Sequence, residues 1–425
     1  KGFSNTYHSA SDPWGGDYDP ARIAILKRMA DQLWEVDSSA YVILEHFADN
    51  AEEFVLADYG MLLWGNSNYN YNEATMGWHE DGKSDFSWGY YGTRGWTAPH
   101  LVTYMESHDE ERLMYKNLTW GNASGNYSIK ALGTALNRIK LAAAFFLTLP
   151  GPKMLWQFGE LGYDYSIDYD GRLGEKPVRW DYLQDQGRYN LYLTMAALLR
   201  LRRENAVFGS SETQVALDLG RSSGLKRMQL SGESMSVIII GNFGVTAQSI
   251  APDFPATGTW YDFFPGDSLL VAAPDTLIDL RPGEFHIYTD QRLEPPEPGI
   301  LNEPIAPPTA LTLGRSYPNP FNPTTTVTTI NYTVALDAQV RLVVYDLLGR
   351  EVARLFDGPQ EVGYHQAVWN GRTTTGRVAP SGIYLARLVA PESTKSIKML
   401  LLRQALEQSR YDPAAGGGVK GVSAL

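Results

Sequence analysis

Apolar residues in the first 205 positions recur with two different periods. From Asp19 onward they fall at Ile23, Ile25, Leu26, Met29 and Leu33, the three-to-four spacing of one helix face. Asp19 suits an N-cap and Pro20 the first helical turn, so a helix is predicted to open there. The run Ala40-Tyr41-Val42-Ile43-Leu44 reads instead as a short buried strand, as do Leu101–Met105 and Lys153–Gln157. Helical patterns follow over about 129–147 and 186–203. Between them lie an apolar patch at Phe54–Leu63 and a polar stretch rich in Gly, Asn and Tyr at 65–97. Fully apolar strands separated by helices predict βα units and a parallel sheet.

The pattern changes after residue 205. Over 206–292, strand-like runs at Lys226–Leu230, Ser234–Ile240, Thr259–Phe264 and Glu284–Tyr288 are separated by Gly, Asp and Pro turns, which predicts a small antiparallel β domain. Residues 293–310 are Pro-rich and read as an extended linker. Residues 311–403 again carry short strands, near Thr326–Val334, Gln339–Asp346, His365–Asn370, Gly382–Val389 and Ser396–Leu402, as in an Ig-like sandwich. The polar, Gly-rich stretch 404–425 reads as a disordered tail.

Composition narrows the function classes. The chain has 425 residues, 44% hydrophobic and 20% charged, as in a globular protein of several domains. Its net charge of −12 argues against a nucleic-acid partner, which would need a basic face. The absence of cysteine removes disulfide and thiolate chemistry. No apolar run reaches the roughly 18 residues of a membrane span. The 25 Tyr and 11 Trp could offer flat platforms to sugars, although cores use them too.

Two strand ends carry acids. Val42-Ile43-Leu44-Glu45-His46-Phe47 places Glu45 directly after a buried strand, and Val102-Thr103-Tyr104-Met105-Glu106-Ser107-His108-Asp109 ends in an adjacent His and Asp. The C-terminal ends of parallel barrel strands carry active sites, so such acids could meet over one pocket. Paired carboxylates are what glycoside cleavage needs, one to protonate the leaving oxygen and one to attack or to activate water. The proton donor needs a raised pKa, which a partly apolar site would supply, and Glu45 between Leu44 and Phe47 could occupy one. Taken singly, each acid is equally compatible with a helix cap or a solvated loop.

These segments together resemble the α-amylase family of retaining glycoside hydrolases. Ile43-Leu44-Glu45-His46-Phe47 resembles the strand-five block and Glu106-Ser107-His108-Asp109 the strand-seven block. Pro150-Gly151-Pro152-Lys153-Met154-Leu155-Trp156-Gln157-Phe158-Gly159-Glu160-Leu161-Gly162 resembles the strand-eight block, and Lys176-Pro177-Val178-Arg179-Trp180 the stretch before the last barrel helix. The resemblance covers about 1–290. It implies an α/β fold in which 1–205 is the C-terminal half of a (β/α)8 TIM barrel, strands five to eight only, followed by the all-β domain at 206–292. It also implies Glu45 as general acid/base, Asp109 as the third carboxylate and His108 as a ligand of the sugar hydroxyls.

Lys1-Gly2-Phe3 resembles the end of the strand-four block, with Gly2 in place of a His, which makes Lys1 a further substrate contact. The nucleophilic Asp of that block is then expected upstream of Lys1. On this reading the chain is a fragment, inactive alone. A structural Ca2+ ion and no organic cofactor are further implications of the resemblance.

Residues 316–403 resemble the C-terminal sorting domain of the bacterial type IX secretion system and the closely similar flagellar-hook-cap immunoglobulin-like domain. The carrying residues are Tyr317-Pro318-Asn319-Pro320-Phe321-Asn322-Pro323, Val344-Tyr345-Asp346-Leu347-Leu348-Gly349-Arg350, Trp369-Asn370-Gly371-Arg372, Pro380-Ser381-Gly382-Ile383-Tyr384 and Lys398-Met399-Leu400-Leu401-Leu402-Arg403. This implies a secreted or surface-attached bacterial protein that meets the type IX machinery through its C-terminal domain. The expectation is an enzyme of starch-like α-glucans. Its rivals are another α-glucoside enzyme, such as an oligo-1,6-glucosidase or transglycosylase, and a starch-binding surface protein without activity.

Overall fold

A computed structural model of the chain divides into two compact units, Lys1–Ile305 and Ala306–Leu425. It describes residues 15–296, 310–314, 316, 319–323, 327–391 and 393–403. Lys1, most of the 293–310 linker and the 404–425 tail lie outside the described residues.

Unit 1 begins with α1 (Pro20–Val36), capped as its sequence predicts by the Asp19 side chain, which accepts from the N–H groups of Ala21 and Arg22. Its buried face is Arg22, Ile23, Leu26 and Ala30. Met29 and Leu33, expected on that face, are 42% and 53% exposed. The face is turned because the buried guanidinium of Arg22 reaches Glu52.

Next come β1 (Ile43–Leu44), α2 (Asn50–Asp58), β2 (Leu62–Asn66), α3 (Asn68–Met76), β3 (Leu101–Tyr104) and α4 (Leu113–Trp120). A small hairpin, β4 (Ala123–Ser124) and β5 (Tyr127–Ser128), precedes α5 (Leu132–Thr148), β6 (Lys153–Met154) and α6 (Gln186–Glu204). The apolar patch at 54–63 thus splits into the end of α2 and the start of β2, and the polar stretch at 65–97 holds α3. Strands β1-β2-β3-β6 form one sheet in that order, every pair parallel. Helix α5 is buried at Ala135 and Leu136 and then continuously from Arg138 to Thr148.

The following strands are β7 (Gln214–Asp218), β8 (Leu225–Ser231), β9 (Ser236–Asn242), β10 (Gln248–Ile250), β11 (Gly258–Asp262), β12 (Ser268–Val271), β13 (Ile278–Leu280) and β14 (Phe285–Thr289). Six of them make an antiparallel sheet ordered β12-β11-β14-β9-β8-β7. The composition shift near residue 206 marks a change of secondary structure, but the core runs across it. Phe145 and Leu141 of α5 share one apolar cluster with Met228, Leu230, Ile239 and Ile287. Arg138 of α5 is buried in the same region and donates to the carbonyls of Ala74, Thr75, Phe243 and Gly244.

Unit 2 has two antiparallel sheets. One is β15 (Thr312–Leu313), β16 (Thr328–Val334) and β19 (Gly363–Trp369); the other is β18 (Glu351–Gln360), β17 (Ala338–Tyr345), β20 (Gly382–Ala390) and β21 (Ser393–Leu401). Its core packs Trp369, Leu342, Val344, Leu388 and Met399. The Asp346–Gly349 turn joins β17 to β18, with Gly349 at φ +77° and the Asp346 carboxylate accepting from the N–H of Leu348.

Candidate functional site

The ends of three parallel strands and the segment after the fourth supply the candidate site. Glu45 follows β1, Trp64 and Asn66 end β2, His108 to Glu110 follow β3, and Trp156 follows β6. Each lies at the C-terminal side of the sheet, where parallel strands leave room for loops.

The chain bends sharply after Glu45. Phe47 has φ +53°, a left-handed conformation unusual for a bulky residue. His46 is buried and held by Glu52, whose Oε1 lies 2.6 Å from His46 Nε2 and 2.6 Å from Arg22 Nε. Glu52 also accepts from Arg22 Nη2 and from the N–H of Asp19. Burial alone would raise the Glu52 carboxyl, but Arg22 and His46 outweigh it and hold it below the usual range. The result is a fixed anchor one residue beyond Glu45.

Glu45, His108 and Asp109 come together. One ligand atom from each lies within 4.8 Å of the others, and all three residues are exposed. The juxtaposition joins residues 64 positions apart in sequence, as the two strand-end blocks predict. His108 Nε2 stands 3.5 Å from Asp109 Oδ2. The His108 ring lies between two indoles, 6.0 Å from Trp64 and 5.9 Å from Trp156 between centroids. The apolar surround expected for Glu45 is not seen, because Phe47 turns outward and is itself 37% exposed.

Sequence reasoning missed several neighbours. Glu110 accepts from Asn66 Nδ2 at 2.6 Å, from the Tyr104 hydroxyl and from Ser107 Oγ. Burial, with the negative charges of Glu110 and Glu45, pushes the Tyr104 hydroxyl up. Arg172, from the loop after β6, donates to the Asp109 carbonyl at 2.5 Å and stands 3.6 Å from Asp109 Oδ1. The apolar run Met61-Leu62-Leu63-Trp64 could have revealed β2, and with it Trp64 and Asn66. Nothing local could have revealed Arg172, which arrives from 63 residues away.

Glu45, His108 and Asp109 are the one group of three or more His and carboxylate side chains among the described residues with metal-ligand spacing. Calcium takes typically about six to eight oxygen ligands, so one imidazole and two exposed carboxylates do not fit a structural Ca2+ site. Chemically, the group offers two carboxylates, an imidazole and two flanking aromatic rings, a surface able to hydrogen-bond hydroxyls and to stack on a flat apolar face.

Residues 321–393 match the FlgD Ig-like domain family. No curated protein matches the chain. Among solved structures, the chain is similar to the α-amylase of Geobacillus thermoleovorans complexed with acarbose, with 14% identity, TM-score 0.46 and coverage of 63% of this chain and 57% of that one. It is also similar to AmyP in complex with maltose (14%, TM-score 0.47, 65% and 62%) and to the α-amylase from H. orenii (17%, TM-score 0.42, 64% and 59%). The chain thus spans roughly three fifths of the length of these structures.

Proposed function

We propose that this chain carries part of the active centre of a retaining α-glucan hydrolase acting on starch-like polysaccharides. The observation that supports it is the convergence of Glu45, His108 and Asp109 from two strand ends. In this reading Glu45 gives its proton to the glycosidic oxygen as the bond breaks, then takes one from the water that completes hydrolysis. Asp109 accepts hydrogen bonds from hydroxyls of the sugar at the cleavage point and stabilises the positive charge that develops on its ring. His108, held between Trp64 and Trp156, adds a further hydroxyl contact. A bound sugar would cover the exposed Glu45 and supply the desolvation a general acid requires. The attacking carboxylate is expected outside the described residues.

Calorimetry with maltoheptaose tests the reading, with starch hydrolysis assayed in parallel. The chain should bind the oligosaccharide, and Asp109→Asn should weaken binding by about tenfold or more. Any hydrolysis by the chain that survives Glu45→Gln would overturn the assignment of the general acid/base. Wild-type binding that survives Asp109→Asn and Glu45→Gln together would overturn the site.

We further propose that unit 2 directs a secreted bacterial protein to the type IX machinery. The motif string from Tyr317 to Arg403 supports this. A signal-peptide reporter fused to 311–425, expressed in a host with that system, should reach the surface; retention in the periplasm would count against it.

A further inference from the structure

We propose that Glu106 and Asn68 form a clasp that positions the turn bearing His108 and Asp109 from its buried side, a role whose functional meaning rests on the sugar-binding reading of that turn. The turn runs from the end of β3 to the start of α4. Glu106 is buried, and its Oε1 accepts from the N–H of Leu113, the first residue of α4, at 2.7 Å. Arg112, at the N-cap position, makes no side-chain cap of its own. The helix is therefore capped from seven residues upstream, and that bond closes 107–112 into a loop with both ends fixed.

Asn68 fastens the same loop at its mouth. Its Nδ2 donates to the carbonyl of Met105 at 2.7 Å, just before the turn, and to that of Glu111 at 2.9 Å, near its end. Asn72 in turn donates to Asn68 Oδ1 at 2.8 Å, fixing the amide's orientation. Inside the loop, Arg112 Nη1 donates to the carbonyls of Ser107 and Glu110, and Asp109 N–H donates to Ser107 Oγ. The only residues of the turn left strongly exposed are His108 and Asp109.

The surroundings are cut to fit Glu106. A Cβ at Gly159 would lie 2.6 Å from Glu106 Oε2, so the absence of a side chain there makes room for the carboxyl. Met105, Leu113, Met114, Met154 and Met195 line the same small cavity. Burial pushes the Glu106 carboxyl up, although Arg112 opposes the shift. A side chain that works as a hydrogen-bond acceptor rather than as a charge should be replaceable by its amide.

The test uses the full chain and the variants Glu106→Gln, Glu106→Leu and Gly159→Ala, read by hydrogen exchange at residues 107–113 and by maltoheptaose calorimetry. Glu106→Gln keeps an acceptor for Leu113 and should retain both loop protection and affinity. Glu106→Leu should speed exchange at Asp109 and Leu113 by about tenfold or more, with protection of α5 unchanged. Maltoheptaose affinity should fall alongside. Gly159→Ala, which displaces the carboxyl without removing it, should reproduce the loop effect and decides the matter if Glu106→Leu does not fold. Unchanged exchange at Asp109 and Leu113 in a folded Glu106→Leu or Gly159→Ala variant would overturn the clasp. Failure of the wild-type chain to bind maltoheptaose would instead sink the sugar reading, while the exchange rates still decide the clasp.

Discussion

Lys226 holds its ammonium group 4.9 Å from the centre of the Phe86 ring, fully buried and, among the described residues, without a carboxylate as hydrogen-bond partner. Its donors go to the carbonyls of Ser84 and Leu219 and to Ser84 Oγ. Burial dominates and drives its pKa down to about 7; the charge of Asp85 opposes the shift and that of Arg138 adds to it. An unfolded lysine titrates near 10.4, so between about pH 7 and that value the unfolded chain binds more protons and stability rises with pH. Comparing wild type with Lys226→Met by denaturant unfolding should show the wild type gaining relative stability from pH 7 to pH 10. A pH-independent difference would refute the depressed pKa.

His286 should give the opposite slope. Its Nδ1 lies 2.5 Å from Asp262 Oδ2 and its Nε2 3.6 Å from Glu284. Burial lowers its pKa, but the two carboxylates outweigh that and raise it to about 9. The stabilisation is fully present below the unfolded value near 6.5 and is lost as pH rises through 9. His286→Ala should therefore cost unit 1 more melting temperature at pH 6 than at pH 10. Equal losses at both values would show that the imidazolium contributes nothing.

The sequence made the α/β pattern legible wherever an element was long and apolar or carried a cap. Asp19 and Pro20 announced α1, and the Leu101–Met105 run announced β3. Strand β2 was merged into the single apolar patch Phe54–Leu63, although Asp58 and Gly60 separate the end of α2 from the Met61–Trp64 run that forms it. Glu45, His108 and Asp109 were legible because each sits beside a strand end. Their partners were not, since Arg172 and Asn66 reach the cluster through tertiary packing, which periodicity does not encode. The exposed setting of Glu45 was equally invisible, because apolar neighbours in sequence need not be neighbours in space.

The buried pair of Arg22 and Glu52 is expected to matter more than any surface ion pair in the chain. Both side chains are almost wholly inaccessible, at 1% and 0%. Removing one partner leaves the other charge buried, a loss of about 3–5 kcal/mol in such settings. Glu52→Ala should lower the stability of unit 1 by that order. It should also release His46 and so disorder Glu45. Chemical denaturation, with exchange at His46, would check both effects.

Trp369 is the largest fully buried side chain of unit 2, packed against Phe321 at 5.3 Å and Tyr384 at 5.0 Å between ring centroids. Truncation of a core aromatic to alanine costs about 3–5 kcal/mol. Trp369→Ala should lower the melting transition of unit 2, with the transition of unit 1 unmoved because the cores are separate. Calorimetric scans showing both transitions shifted alike would contradict separate cores.

Arg172 poses the sharpest question about the candidate site, because it binds the residue that is meant to bind sugar. The pair is exposed, with side chains 55% and 52% accessible, and such pairs contribute about 0–1 kcal/mol. Arg172→Ala should therefore leave the melting temperature nearly unchanged. Its effect on maltoheptaose separates two roles. If the guanidinium only occupies Asp109 until sugar arrives, its removal frees an acceptor, and affinity should hold or rise by up to about threefold. If it contacts sugar directly, affinity should fall as it does in Asp109→Asn. The geometry favours the first outcome: the shorter contact runs to the Asp109 carbonyl and the longer one to the carboxylate, so the side chain is moored to the backbone and need not leave for a hydroxyl to reach Oδ1. A loss matching that of Asp109→Asn, measured by calorimetry under the same buffer, would reverse the assignment and make Arg172 a sugar ligand.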